Sequence, residues 1–72
     1  MKLDDVKTGE QVVIQRLVCE GSMKKKLLDM GLIPHTKVLV RKVAPLGDPM
    51  ELSLRGYALS IRKAEAAYIE VA

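Results

Sequence analysis

The side chains that could carry chemistry are few and lie far apart along the chain. Cys19 is the only cysteine and His35 the only histidine, so they form the one possible pair of a thiol and an imidazole base. A helix of about eight residues is predicted between them, and a helix of that length extends about 12 Å. We therefore expect Cys19 and His35 to lie apart, and we interpret Cys19 as a small buried apolar residue.

Other arrangements typical of catalytic or metal sites are missing. Neither a Cys-x-x-Cys nor a His-x-x-x-His spacing is present to bind a metal ion. Neighbouring carboxylates occur only at Asp4-Asp5, and the five glycines stand singly, so no glycine-rich loop could hold a phosphate. The sequence predicts a protein that is not an enzyme and that has neither a cofactor nor a tight transition-metal site.

The composition describes one small globular domain over residues 1–72. Hydrophobic residues make up 49% of the chain, which is normal for a packed domain, but Trp and Phe are absent and Tyr57 and Tyr68 are the only aromatic residues. A net charge of +3 invites a nucleic-acid interpretation. Two tyrosines, however, provide few platforms for base stacking and cannot line an aromatic groove for proline-rich peptides. We expect no nucleic-acid partner.

Hydropathy argues against a membrane-spanning segment. No apolar run exceeds four residues, whereas a spanning helix needs about 20. The N-terminus lacks the apolar segment of a signal peptide, and a single cysteine can form no internal disulfide. We therefore expect a protein of the reducing cytoplasm that does not insert into the membrane.

One short helix is predicted early in the chain. Apolar residues at i, i+4 and i+7 predict a helix over Met23–Met30. Ser22 is its expected N-cap. Gly31 can adopt the left-handed conformation that ends a helix, and Pro34 prevents its continuation.

Runs of β-forming residues surround this helix. A 3₁₀ turn at Leu3–Val6 precedes them, Ala44–Pro49 forms a tight hairpin loop, Gly56 marks a bend and Lys63–Ala67 suits a single helical turn. The expected strands are Gln11–Cys19, Thr36–Ala44, Met50–Leu54, a run after Gly56 in which Tyr57, Leu59 and Ile61 share one face, and Tyr68–Val71. The pattern predicts an all-β, SH3-like barrel of about five strands with one short helix between the first two strands. Its expected core includes Leu27, Met30, Val38, Leu52, Leu54, Leu59 and Ile61.

Four side chains are candidates for contact with a partner. At 100° per residue, Leu28 lies about 140° from Met23 around the helix, off the buried stripe and beside Lys24. Lys25 flanks the same outer face, and Leu46 lies in a turn between two prolines. An apolar centre with a charged rim is common at protein interfaces. The alternative, that both leucines are merely packed against loops, remains open.

The chain resembles the FeoA family over nearly its whole length. The resemblance is most specific in three phrases, Leu32-Ile33-Pro34, Ala44-Pro45-Leu46-Gly47-Asp48-Pro49 and Arg55-Gly56-Tyr57-Ala58-Leu59-Ser60-Ile61-Arg62. FeoA proteins are small cytosolic companions of the bacterial ferrous iron transporter FeoB. The resemblance implies an SH3-like barrel that contacts the cytosolic part of a FeoB-type transporter, with its GTP-binding domain as one candidate, to support or tune Fe²⁺ uptake. His35 departs from the family pattern, which often has glycine after the helix-terminating proline.

A second interpretation stays open beside this one. A related SH3-like domain forms the C-terminal part of iron-dependent repressors of the DtxR family, where it can assist metal sensing. The chain shows no DNA-binding or dimerisation domain, which argues against an intact repressor.

Overall fold

The computed structural model describes residues 1–72 and consists mainly of one five-stranded antiparallel sheet. Its strands are β1 (Gln11–Leu17), β2 (Lys37–Val43), β3 (Met50–Leu54), β4 (Tyr57–Ile61) and β5 (Ile69–Val71), with α1 (Gly21–Asp29) between β1 and β2, α2 (Lys63–Ala66) between β4 and β5, and a 3₁₀ turn at Leu3–Asp5. The strand order is β4-β3-β2-β1-β5. This confirms the prediction of five strands with a short helix between the first two. No helix is both long and apolar enough to cross a membrane.

β1 and β2 are bent by irregularities that explain their mixed apolar pattern. In β1, Val12 and Ile14 are buried, Gln15 and Arg16 are exposed, and Leu17 is half-buried against the core. The pairing of β1 with β5 shifts register between Ile14 and Arg16. An extra residue in a bulge reverses the alternation of inward and outward side chains, so Leu17 turns back toward the core. β2 repeats the same burial order and has its own register shift.

The core receives apolar side chains from every strand and from both helices. Of the seven predicted core residues, five are buried: Leu27, Val38, Leu52, Leu54 and Ile61. Met30 and Leu59 were expected to be buried as well, but each is only half-buried and packs at the margin of the core. Met30 is the C-cap of α1, and Leu59 belongs to β4, which has no neighbouring strand on its outer side.

The start of α1 differs from the prediction. Ser22 lies inside the helix, and Glu20 occupies the N-cap position without a capping bond from its side chain. Glu20 is still extended, with φ −130° and ψ 170°, and the helix begins at Gly21, two positions before Met23, where a helix capped by Ser22 would begin.

The two edges of the sheet are covered differently. At the β5 edge, the N–H of Val71 donates to the carbonyl of Met1 (2.8 Å), and Lys2 forms an isolated bridge with Glu70. The N-terminal residues therefore pair with β5. At the opposite edge, β4 has β3 as its only neighbour.

Candidate docking surface

The C-terminal end of α1 is fixed by backbone hydrogen bonds and by two buried leucines. The N–H of Gly31 donates to the carbonyl of Leu28 (2.9 Å), and that of Leu32 donates to Leu27 (3.1 Å), the bond pattern of a Schellman motif. Gly31 has φ 94°, a conformation that costs glycine little. Leu27 and Leu32 are both fully buried, so the helix ends in a defined orientation on the sheet.

Tyr57 connects this helix end to β4. Its hydroxyl donates to the carbonyl of Met30 (2.9 Å) and so satisfies one of the carbonyls that a helix leaves unpaired. A Cβ at Gly31 would overlap that hydroxyl. The tyrosine therefore reaches the helix only because position 31 has no side chain.

Glu65 of α2 makes a second connection to α1. Its Oε2 accepts a hydrogen bond from the Lys26 ammonium (2.6 Å), and its Oε1 accepts one from the N–H of Arg62 (2.9 Å). The Glu65 side chain is only 8% exposed. The bond from Lys26, together with that from the Arg62 N–H, lowers the pKa of Glu65 against the opposing effect of burial. The bond from the Arg62 N–H to the Glu65 carboxylate is one half of a capping box. The other half does not form, because the Arg62 side chain has no acceptor for the Glu65 N–H.

An open groove of about 430 Å³ lies between these elements. It is bordered by α1, the end of β4, the start of α2 and the loop between β2 and β3, and its lining residues are Lys26, Met30, Ser60, Ile61, Arg62 and Glu65, with Asp48 and Pro49 from the loop. We call it the α1–β4 groove. The loop is held against it because the N–H of Lys63 donates to Oδ1 of Asp48 (2.8 Å).

The four predicted contact residues lie on two patches. Leu46 is 96% exposed, on the loop that borders the α1–β4 groove. Leu28 is 36% exposed. Lys26 lines the groove. Residues two positions apart in a helix are separated by about 160° around its axis, so Leu28 and Lys24 both lie on the opposite flank of α1. Lys24 is half-buried, and Lys25 is exposed and paired with Asp29 (3.1 Å).

Cys19 and His35 flank α1 in the sequence. Cys19 precedes the helix and is half-buried against the core rather than fully buried. His35 follows it, is exposed, and has φ 73°, so the turn accepts histidine in the left-handed region. No group of three or more His, Cys, Asp and Glu side chains that could hold a metal ion is formed.

Sequence reasoning missed the residues that shape the groove. Tyr57, Arg62 and Glu65 were assigned no role in the site. Arg62 immediately precedes the predicted α2 turn, and Glu65 follows it by three residues, which is the position of glutamate in a capping box. That spacing could have indicated the Arg62–Glu65 bond. Nothing local indicates the contact between Tyr57 and Met30, which are 27 residues apart.

Comparison with known proteins identifies the family. The FeoA domain family matches the chain over residues 1–72. The chain belongs to the FeoA domain family. A curated relative of this FeoA domain, the Fe(2+) transport protein A/Fe(2+) transporter FeoB fusion protein of Porphyromonas gingivalis, is 38% identical over 71 residues and is matched by 99% of the chain. The chain spans 8% of the length of that fusion protein.

Solved structures share the fold of this FeoA domain. The NMR structure of the FeoA-like protein from Clostridium acetobutylicum has a TM-score of 0.94 at 39% identity, covering 100% of this chain and 84% of that one. The zinc complex of FeoA from Stenotrophomonas maltophilia, a prokaryotic SH3 domain protein, has a TM-score of 0.86 at 17% identity, covering 100% of this chain and 89% of that one. The second likeness concerns the fold alone and confirms the predicted SH3-like architecture.

The repressor interpretation finds a structural counterpart only. IdeR from T. acidophilum, a DtxR-like protein, has a TM-score of 0.86 at 22% identity, covering 99% of this chain and 32% of that one. This likeness extends the fold to such proteins and carries no function to the FeoA domain.

Proposed function

We propose that this FeoA domain is a non-enzymatic accessory of ferrous iron uptake, which binds the cytosolic region of a FeoB-type transporter and supports or tunes Fe²⁺ transport. The observation that supports this is the P. gingivalis fusion protein, in which a sequence related to 99% of this chain shares one polypeptide with a FeoB transporter. Fusion keeps two domains at a high effective concentration, which benefits a pair that acts together. On the same reasoning we place the domain in the cytoplasm.

The chemistry of the α1–β4 groove supports a binding role over a catalytic one. Both of its carboxylates are engaged: Glu65 accepts from Lys26 and Arg62, and Asp48 accepts from the N–H of Lys63. A general acid works best with a pKa near the operating pH. The pKa of Glu65 is shifted the other way, below its ordinary value, so this carboxylate suits a structural role.

For the contact itself we propose the two exposed patches. Leu46 offers a large apolar side chain to a partner, and Leu28 offers a smaller apolar area beside Lys24 and Lys25. A few apolar anchors supply most of the binding energy in typical interfaces, while surrounding charges act mainly on association rate and specificity. We expect the leucines to anchor the complex and the lysines to steer it.

A pull-down tests the proposed function. The full chain is captured on the cytosolic domain of the cognate FeoB-type transporter with GDP, with a GTP analogue and without nucleotide. Binding in any of these states supports the proposal, and a difference between them shows that nucleotide tunes the contact. No binding in all three states, with both proteins folded by circular dichroism, contradicts it.

Two variants test the patches. Leu46→Ser and Lys24→Glu should each weaken capture, and higher salt should weaken the wild-type contact as well, since salt screens exposed charges. Lys37→Glu is the matched control for charge because Lys37 is exposed, lies on β2 and makes no ion pair. If Leu46→Ser and Lys24→Glu both bind like the wild type, the contact lies on another surface.

A further inference from the structure

β4 exposes a row of backbone groups that the rest of the protein does not use. The two-residue turn at Arg55-Gly56 makes Leu54 and Tyr57 direct partners, and Leu52 pairs with Leu59 further along. Residues next to such a turn exchange hydrogen bonds, and bonded and non-bonded pairs then alternate along an antiparallel ladder. The N–H and C=O groups of Tyr57, Leu59 and Ile61 therefore point toward β3.

Ala58 and Ser60 point their backbone groups the other way. Their partners in β3, Ser53 and Glu51, belong to the non-bonded pairs. No strand lies beyond β4, and no side chain or loop hydrogen bond reaches Ala58 or Ser60. Each of the two residues thus presents a free donor and a free acceptor at the strand spacing.

The β4 edge also lacks the features that normally prevent strand pairing. Proteins protect edges with bulges, prolines, charged side chains or a covering segment. β4 has the sequence Tyr-Ala-Leu-Ser-Ile, without charge or proline, and its register with β3 is uninterrupted. The β5 edge, in contrast, is covered by Met1 and Lys2. Only one edge of this sheet is open.

The surroundings of the open edge indicate what could occupy it. The α1–β4 groove runs beside Ser60, and Met30 offers a half-buried apolar surface there, as Leu59 does on β4. Arg62 is exposed at the end of β4 and forms no ion pair within 4.0 Å. A single extended segment that carries an apolar side chain and a carboxylate would match these groups.

We propose that the open edge of β4 accepts an extended acidic segment of the partner by strand addition, with hydrogen bonds to Ala58 and Ser60, an apolar side chain against Met30 and Leu59, and a carboxylate facing Arg62. Main-chain bonds supply affinity in this mode of recognition, and alternate side chains supply specificity. This inference rests on the proposed function, because the partner is the cytosolic region of the FeoB-type transporter.

Ser60 allows a sharp test, since its N–H is used only by the proposed strand. Ser60→Pro removes that N–H without breaking a bond to β3, and proline is tolerated where an edge N–H faces solvent. Ser60→Ala keeps the N–H and removes only the hydroxyl, which makes no hydrogen bond. Capture on the transporter domain should fall at least tenfold for Ser60→Pro and remain unchanged for Ser60→Ala. Arg62→Ala, which keeps its N–H bond to Glu65, should weaken capture several-fold.

Amide hydrogen exchange of the wild-type chain makes the test independent of how well Ser60→Pro folds. The amides of Ala58 and Ser60 should exchange quickly in the free protein and at least tenfold more slowly in the complex, while that of Leu59, already paired with β3, stays protected in both. Strand addition is overturned if the wild-type chain is captured but the amides of Ala58 and Ser60 are not protected in the complex. It is also overturned if a folded Ser60→Pro variant is captured as well as the wild type. Either result leaves the proposed function standing.

Three further outcomes have distinct meanings. Protection of Ala58 and Ser60 that grows with protein concentration in the absence of the transporter domain assigns the edge to a second copy and overturns the proposal. If Arg62→Ala is captured as well as the wild type, the part of the proposal that makes the segment acidic is contradicted. A wild-type chain that binds no transporter domain contradicts the proposed function, and the inference fails with it.

Discussion

Gly31 shows how much of the candidate surface depends on one residue. It takes the left-handed conformation that ends α1, and its missing side chain leaves space for the Tyr57 hydroxyl to reach the carbonyl of Met30. The two requirements are separate, because the first concerns the backbone and the second concerns a neighbouring strand. A substitution at this position should therefore cost more than the backbone conformation alone.

Gly31→Ala should destabilise the protein by about 2–3 kcal/mol, of which about 1–2 kcal/mol is the cost of positive φ and the rest the loss of the Tyr57 bond. Gly9→Ala is the matched control, since Gly9 has φ 91° and a Cβ added there would meet no atom within 4 Å. Gly9→Ala should therefore cost only about 1–2 kcal/mol, which is the cost of a side chain at positive φ. Urea unfolding measures both, and in a Tyr57→Phe background the two substitutions should cost the same. Equal costs in the wild-type background would show that the hydroxyl contributes nothing.

At the residue scale, local signals predicted backbone features well and long-range contacts poorly. Gly31 as a helix end follows from its type and position, and the exposure of Leu28 follows from helical spacing. Ser22 was wrongly predicted as the N-cap, because the direction in which the chain leaves β1 decides where the helix begins. The bond from Tyr57 to Met30 joins distant residues, so no local pattern contains it.

At the scale of elements, α2 is a short helix that depends on a single carboxylate. It spans four residues, too few to be stable without tertiary contacts. Glu65 joins its first turn to the Arg62 N–H and joins α2 to Lys26 of α1. Loss of this charge should loosen both helices at one side of the α1–β4 groove.

Glu65→Gln should lower stability by about 1–2 kcal/mol at pH 7, near the lower end for a charged hydrogen bond because Lys26 is exposed. The folded-state pKa of Glu65 is lowered from 4.5, so its contribution is present above about pH 4.5 and is lost as the pH falls through the folded-state value. Thermal unfolding across pH 2–7 should show the difference between wild type and Glu65→Gln shrink on acidification. Asp5→Asn, at an exposed site without an ion pair or a side-chain hydrogen bond, serves as the control. A difference that stays constant with pH would contradict this role.

Most elements could be predicted from the sequence, but the register shifts in β1 and β2 were not predicted. The polar pairs Gln15-Arg16 and Arg41-Lys42 interrupt β1 and β2 at the same relative position, which is where both strands shift register. Alternation predicts a flat strand, so two consecutive polar residues followed by an apolar one indicate a bulge. The burial of Leu59 was overestimated because periodicity does not say which strand lies at an edge, and that of Met30 because periodicity does not say where the helix ends.

At the scale of the whole molecule, a small core carries the stability of the fold. Domains are stable by about 0.05–0.15 kcal/mol per residue, which gives about 4–11 kcal/mol for a chain of this length. The cost of a substitution should therefore depend strongly on its distance from the core. The loop between β2 and β3 and the strand β3 that follows it offer a direct comparison.

Leu54→Ala should destabilise the protein by about 2–5 kcal/mol, since Leu54 is 2% exposed and its removal leaves a cavity. Leu46→Ser, at a side chain that is 96% exposed, should change stability by less than about 0.5 kcal/mol. Denaturant unfolding of both variants checks the pair. Wild-type stability of Leu54→Ala would count against the fold, and strong destabilisation by Leu46→Ser would show that the loop is part of the core.

The unequal edges of the sheet set a limit on how far chains of this kind can assemble. Growth of a β-fibre requires two open edges on every unit, so that each added molecule presents a new edge to the next. Here Met1 and Lys2 occupy one edge, and any strand that joins β4 uses up the other. Strand addition therefore stops after one step, whichever molecule supplies the strand. A change that released Met1 and Lys2 from β5 would remove this stop and make polymerisation geometrically possible.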